Sequence, residues 1–209
     1  MNATSRMVAL LGELRREMNG AVVDSMHDKG IDYALSYGVS IPTIRTLARQ
    51  YAPDDELARL LYRQQVRELQ LAALSIASPE SVTAEELTFW SEGVTTVEMA
   101  ENVATVLIAR TSVAEVAAKE WLATESGMLI GARCAELKLA DAADSLLKAL
   151  RSVPVGLEVV SGHGAAVLLA ACGTRSNEER AAAKSFIATL PEGSLRDRID
   201  DEAGWQLDM

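Results

Sequence analysis

The chain has 209 residues, 49% apolar and 24% charged, which suits one domain or one uninterrupted array of repeats with a real core. Aromatics are only 4%, so the core is built from Ala, Leu, Val, Ile and Met, which fit close helix–helix packing better than a β-sandwich. Net charge is −10 and uneven: residues 1–75 carry 9 Lys/Arg against 9 Asp/Glu and residues 76–209 carry 11 against 21, so only the N-terminal third can offer phosphates a cationic face without opposing its own charge.

In chain order the signal is helical almost throughout. Val8, Leu11, Leu14 and Met18 recur at helical spacing within residues 1–36, which read as N-terminal capping helices. Ser40 caps a helix opening on Ile41-Pro42, because proline is tolerated in a first turn, and Ile44, Leu47 and Tyr51 carry its apolar face. Leu57, Leu60 and Leu61 mark the next helix, and Leu71, Leu74 and Ala77 the one after. Capping boxes are expected at Thr83 with Glu86, Thr95 with Glu98, Ser112 with Glu115 and Ser176 with Glu179. Val103, Val106 and Leu107, then Leu146, Leu147 and Leu150, continue the pattern, and Ser194 caps a last short helix. Breaks fall at Gly30–Gly38, Pro53, Ser78-Pro79, Gly93, Gly127, Pro154 and Gly173.

Helix starts near 41, 54, 66, 84, 96, 113, 127, 141, 157 and 177 give pairs repeating about every 30–40 residues, close to helix-pair solenoid periods. The expected fold is all-α: a superhelical stack of antiparallel helix pairs, HEAT-like or armadillo-like. It is read as one domain, residues 1–209, with repeats over 37–190 and an acidic C-terminal segment at 191–209. An irregular helix bundle is the rival. No alternation of strand type and no hairpin signal is present.

Tyr37-Gly38-Val39-Ser40-Ile41-Pro42-Thr43-Ile44-Arg45-Thr46-Leu47-Ala48 resembles the "G-V-S-x-P-x-x-R-x-L-A" entry segment of the DNA alkylation-repair enzymes. Arg67-Glu68-Leu69-Gln70-Leu71-Ala72-Ala73-Leu74 resembles the same family's "R-E-x-x-x-A-A" helix. The resemblance follows helix order over roughly residues 30–190 and is motif-specific over 37–77. It implies a curved HEAT-like stack with DNA in its concave face. It also implies excision of cationic N3- and N7-alkylated bases without flipping the base into a pocket, as most glycosylases do. Aromatic faces and a carboxylate would then hold the charged base and the oxocarbenium-like sugar.

Phe89-Trp90 leads to the stretch Val94–Val103, where the resemblance puts the lesion site. There the family's Trp-x-x-x-Asp falls on Val97-Glu98-Met99-Ala100-Glu101. Valine stands for the aromatic, and Glu101 for the aspartate, as the candidate catalytic carboxylate. The second family aromatic falls near Val167, again aliphatic, within Ala165–Ala171. A family basic residue falls near Gly131, with Arg133 two positions on.

Arg59, Arg63 and Arg67 stand at i, i+4, i+8 and form one basic stripe if the helix runs through, and Arg45 and Arg49 form another. With Arg133 these are the candidate phosphate contacts. Asp55 and Glu56 precede Arg59 by four and three, so the plain alternative is a solvated face with weak ion pairs. For Glu101 the alternative is a solvated helix residue. Trp90 reads as core and Trp121 as a half-buried inter-helix residue. Trp205 sits in the acidic run Asp200-Asp201-Glu202, which is unsuited to DNA.

Gly162-His163-Gly164 lacks the strand and spacing of a dinucleotide fingerprint, and His163 has no evident sequence partner for a general base. Cys134 and Cys172 form no CxxC pair, and His27 and His163 lie far apart, so no metal and no cofactor is expected, and a reduced, cytoplasmic setting is. The first twenty residues do not read as a signal peptide, and no apolar run approaches the ~18 residues of a membrane span. The expected function is that of a diverged alkylation-repair protein that binds DNA, with duplex DNA as the candidate partner, or excises alkylated bases weakly if at all. The alternative is a non-catalytic helical scaffold binding a protein or peptide in its concave face.

Overall fold

A computed structural model describes residues 2–29, 31–92, 94–114, 116–117, 139–153 and 158–209. All regular structure among them is helical, as the apolar spacing predicts. The chain forms two compact units, Met1–Val82 and Thr83–Met209.

The first unit holds α1 (Ala3–Arg16), α2 (Gly20–Asp28), α3 (Ile41–Ala48), α4 (Asp55–Tyr62) and α5 (Arg67–Ile76). Its centre is α5, which packs against both α3 and α4, while α1 covers α3 and α4. Leu69, Leu71, Ala72, Ala73, Leu74 and Ile76 are buried around most of the circumference of α5, so this helix is core on nearly every side. Leu10 and Leu14 of α1, Ile44 and Ala48 of α3, and Leu57, Ala58 and Leu61 of α4 supply the facing layers.

Short polar side chains start all of these helices except α5, whose N-cap is Val66. Asn2 Oδ1 accepts from Ser5 N at 2.9 Å, Ser40 Oγ from Thr43 N at 3.3 Å, and Asp54 Oδ1 from Leu57 N at 3.0 Å. The Ser40 cap with Pro42 in the first turn matches the sequence expectation. Asp54 does double duty, because its other oxygen pairs with Arg6, whose second amino group donates to Tyr51 O at 2.7 Å. That clip ties α1 to the loop before α4.

The second unit holds α6 (Leu87–Ser91), α7 (Val97–Asn102), α8 (Leu139–Arg151), α9 (Glu158–Gly173), α10 (Asn177–Thr189) and α11 (Ser194–Leu207). The Thr83–Glu86 capping box is present and starts the 3₁₀ turn Ala84–Glu86 that feeds α6. Ser176 Oγ accepts from Glu179 N at 3.1 Å and caps α10. At α7 the cap is Thr96, not Thr95: its hydroxyl accepts from Met99 N at 3.1 Å. Two adjacent threonines offered two registers, and the buried one is used. The last helix is also longer than expected. It runs 14 residues and begins after Gly193 with no side-chain cap, because Ile199, Ala203 and Leu207 bury one face the whole way.

Helix α9 is apolar all round and central to this unit, packing against α11, α10 and α7. Its contacts with α11 are close. A Cβ on Gly173 would lie 2.2 Å from Leu207 Cδ2, and one on Gly162 would lie 2.8 Å from Arg198 Cδ. Among the described residues no helix is long and apolar enough to cross a membrane. The Ser112–Glu115 box, the helix start near 127, Gly93, Pro154, Trp121, Arg133 and Cys134 fall wholly or partly outside the described residues.

Candidate nucleic-acid interface and carboxylate site

The two motif segments of the first unit meet. Glu68 is fully buried, and its carboxylate accepts from Tyr37 N at 3.1 Å, Val39 N at 3.3 Å and Ser36 Oγ at 3.2 Å. Arg67 lies beside it, buried, donating to Glu68 Oε1 at 3.0 Å and to Val39 O at 2.9 Å, with its guanidinium 5.9 Å from the Tyr33 ring centre. Gly38 bends the captured segment with φ +71°. There a Cβ would fall 2.1 Å from Asn19 O, and Asn19 N donates to Tyr37 O at 2.9 Å. The Tyr37–Ser40 turn and the Arg67-Glu68 pair are thus one structural clasp that positions α3 against α5.

This corrects the basic stripe. The helix does not continue from Arg59 to Arg67: α4 ends at Tyr62, Arg63 is its C-cap, and α5 begins anew at Arg67. Arg67 is 3% exposed and belongs to the clasp, so it cannot reach a phosphate from solvent. Arg63 and Arg49 are exposed at the C-terminal ends of α4 and α3, and Arg45 and Arg59 are half-buried in the last turns of the same helices. Asp55, read as a partner for Arg59, accepts from Ser78 N at 2.8 Å. Arg133 lies outside the described residues.

The candidate carboxylate lies in the second unit. Glu101 is on the last turn of α7, one helical turn after the half-buried Val97. Immediately beyond, the backbone widens into the π-turn Val103–Leu107 and then tightens to the 3₁₀ turn Ile108–Arg110. Such widened turns leave i−4 carbonyls to be satisfied otherwise, and Thr105 Oγ1 donates to Glu101 O at 2.6 Å.

The Glu101 side chain is 43% exposed and meets His163 of α9, with Oε1 3.2 Å from Nε2. The other ring nitrogen, Nδ1, lies 2.7 Å from Glu202 Oε2 on α11, and Glu202 Oε1 accepts from Arg198 Nη1 at 3.0 Å. His163, without an evident partner in sequence, therefore has two, from positions 62 and 39 residues away. No local periodicity carries that signal. Val167, one turn beyond His163, is half-buried and packs on the core of this unit. Trp90 is core, as expected, edge-to-face with Phe89 at 4.9 Å, and Trp205 is 62% exposed on α11. Among the described residues no group of three or more His, Cys, Asp or Glu is arranged to hold a metal ion.

A family model described as DNA alkylation repair enzyme matches residues 10–127, more than half of the chain. A search of curated proteins gives no match. One solved structure is similar over 98% of this chain and 95% of its own, with a TM-score of 0.69 at 15% identity. It is described as "A new family of proteins related to the HEAT-like repeat DNA glycosylases with affinity for branched DNA structures". That likeness is one of fold, and it makes the helical architecture HEAT-like.

Proposed function

This chain belongs to the DNA alkylation repair enzyme family, and on that premise we propose that it binds DNA and has diverged from excision, releasing alkylated bases weakly if at all. The observation that carries the reading is the state of the lesion-site positions. Val97 and Val167 are half-buried aliphatics where the family resemblance calls for aromatic faces. A valine has no ring quadrupole to attract a cationic base. Glu101, at the position of the carboxylate, is engaged by His163. An oxocarbenium-like sugar would have to compete with that contact for the anion.

Binding survives this loss, because affinity for DNA comes mainly from phosphate contacts and not from the lesion site. Arg49 and Arg63, with Arg45 and Arg59, give the first unit the cationic side chains for it. The similar solved structure is described as having affinity for branched DNA, so junctions and forks belong in the test beside linear duplex. The experiment measures binding to linear and branched duplexes at several salt concentrations, and release of 3-methyladenine or 7-methylguanine from alkylated duplex. Salt-sensitive binding with little or no base release is expected. Release at an ordinary glycosylase rate would sink the divergence, and absence of salt-sensitive binding would sink DNA as the ligand.

The acidic balance of residues 76–209 supports a second reading, a scaffold for a protein or peptide. A pull-down that returns nucleic acid and no protein partner counts against it.

A further inference from the structure

The Gly162-His163-Gly164 segment has no part in a dinucleotide site, yet the structure gives it a use. Gly162 is buried, and the Arg198 stem lies where its Cβ would be. A Cβ there would lie 2.8 Å from Arg198 Cδ and 3.2 Å from Leu195 Cδ1, so the glycine lets these two α11 side chains lie directly on α9. Along α11, Arg198 donates to Glu202 one turn on, and across to α9 Glu202 Oε2 lies 2.7 Å from His163 Nδ1. The ring is thereby held at one nitrogen, and its other nitrogen is presented to Glu101. His163 is 23% exposed and Glu202 31%, between Arg198 at 41% and Glu101 at 43%, so a half-buried imidazole stands behind a carboxylate at the surface of the unit.

An ionised carboxylate only accepts hydrogen bonds, and an imidazole can donate to two of them only when both ring nitrogens carry protons. We infer that Arg198, Glu202 and His163 form a positioning relay that caps Glu101 with a cationic imidazole and so removes the repulsion between that carboxylate and a bound phosphodiester backbone. The relay rests on the DNA-binding reading above and names the residue that makes Glu101 compatible with it. Four charges of alternating sign, Arg198, Glu202, His163 and Glu101, then sum to zero at a place where a bare glutamate would oppose DNA.

Two measurements test it. The first needs no DNA. In nitrogen-resolved spectra of the full chain, the His163 ring should carry protons on both nitrogens. Glu101→Gln should shift the Nε2 resonance and Glu202→Gln the Nδ1 resonance. A ring that carries one proton, or is indifferent to both substitutions, overturns the relay. The second measures DNA affinity, with circular dichroism as the check on folding. His163→Ala should weaken binding about three- to tenfold by uncovering the Glu101 charge, and adding Glu101→Gln in the same chain should restore it. A loss of packing alone would not be rescued by a change at Glu101. If the wild-type chain binds and His163→Ala binds equally well, the cap is overturned and the DNA reading stands. If the wild-type chain does not bind DNA at all, the reading under Proposed function falls, and the spectra alone decide whether the relay exists.

Discussion

Glu68 shows how one buried carboxylate can define a motif. It accepts two backbone N–H groups and a hydroxyl from the Ser36–Val39 turn and pairs with Arg67, all within a dry interior. Removing one partner of such a pair leaves the other charge uncompensated, which costs about 3–5 kcal/mol. Glu68→Ala is therefore expected to lower the urea midpoint strongly, and a variant with an unchanged midpoint would contradict the clasp. Gly38 makes the same point through backbone geometry. Its φ is +71°, and a methyl group there would collide with a main-chain oxygen that cannot swing away. Gly38→Ala is expected to cost about 2 kcal/mol or more, read by the same denaturation. Both residues lie in the segments that carry the family resemblance, so that resemblance is first a statement about how α3 is set against α5. The sequence shows the motif but not its reason, because Tyr37 and Glu68 are 31 residues apart and their contact has no periodic trace.

At the scale of elements, legibility follows how local the cause is. The Ser40 and Ser176 caps and the Thr83–Glu86 box are set by residues three apart, and all are where the spacing puts them. The break between α4 and α5 is less legible, since three arginines at helical spacing across Gln64, Gln65 and Val66 look continuous. What sets the start of α5 is tertiary: Arg67 N donates to Leu35 O at 2.9 Å, at a place chosen by the clasp. The length of α11 was hidden in the same way, by acidic residues on the faces that are not buried. Helix α9 gives a prediction at this scale. Burial pushes the Cys172 thiol above the ordinary thiol range, with Glu179 adding to the shift and Arg175 opposing it. A folded-state value above the unfolded one favours folding below the ordinary thiol pKa of ~8.5 and loses that contribution as pH rises through the folded value. Cys172 is thus expected to resist alkylation in the native chain near neutral pH and to react once the chain is unfolded. Peptide mapping reads it separately from Cys134, and ready native alkylation of Cys172 would contradict its burial.

At the scale of the whole molecule the decisive quantity is where charge of each sign resides. Residues 1–82 hold 9 Lys/Arg against 10 Asp/Glu, and residues 83–209 hold 11 against 20. A polyanion approaching this chain meets near-neutrality in one unit and a strongly negative field in the other. Binding that depends on releasing counterions then has to be made by the arginines of the first unit. Of the five stripe arginines there, Arg67 is buried in the clasp, while Arg49 and Arg63 are exposed and Arg45 and Arg59 half-buried. Each phosphate contact contributes about one to the slope of log affinity against log salt, so the double variant Arg49→Ala/Arg63→Ala is expected to reduce that slope by about 2. The control pair is Arg110→Ala/Arg151→Ala, which removes the same charge from exposed positions of the second unit and should leave the slope unchanged. Arg67→Ala separates the two uses of arginine, since it should show first as lost stability and not as a shallower salt dependence of the folded chain. Equal slopes for the two double variants would mean that net charge alone governs binding, and the arginines at the ends of α3 and α4 would lose their assignment as the interface.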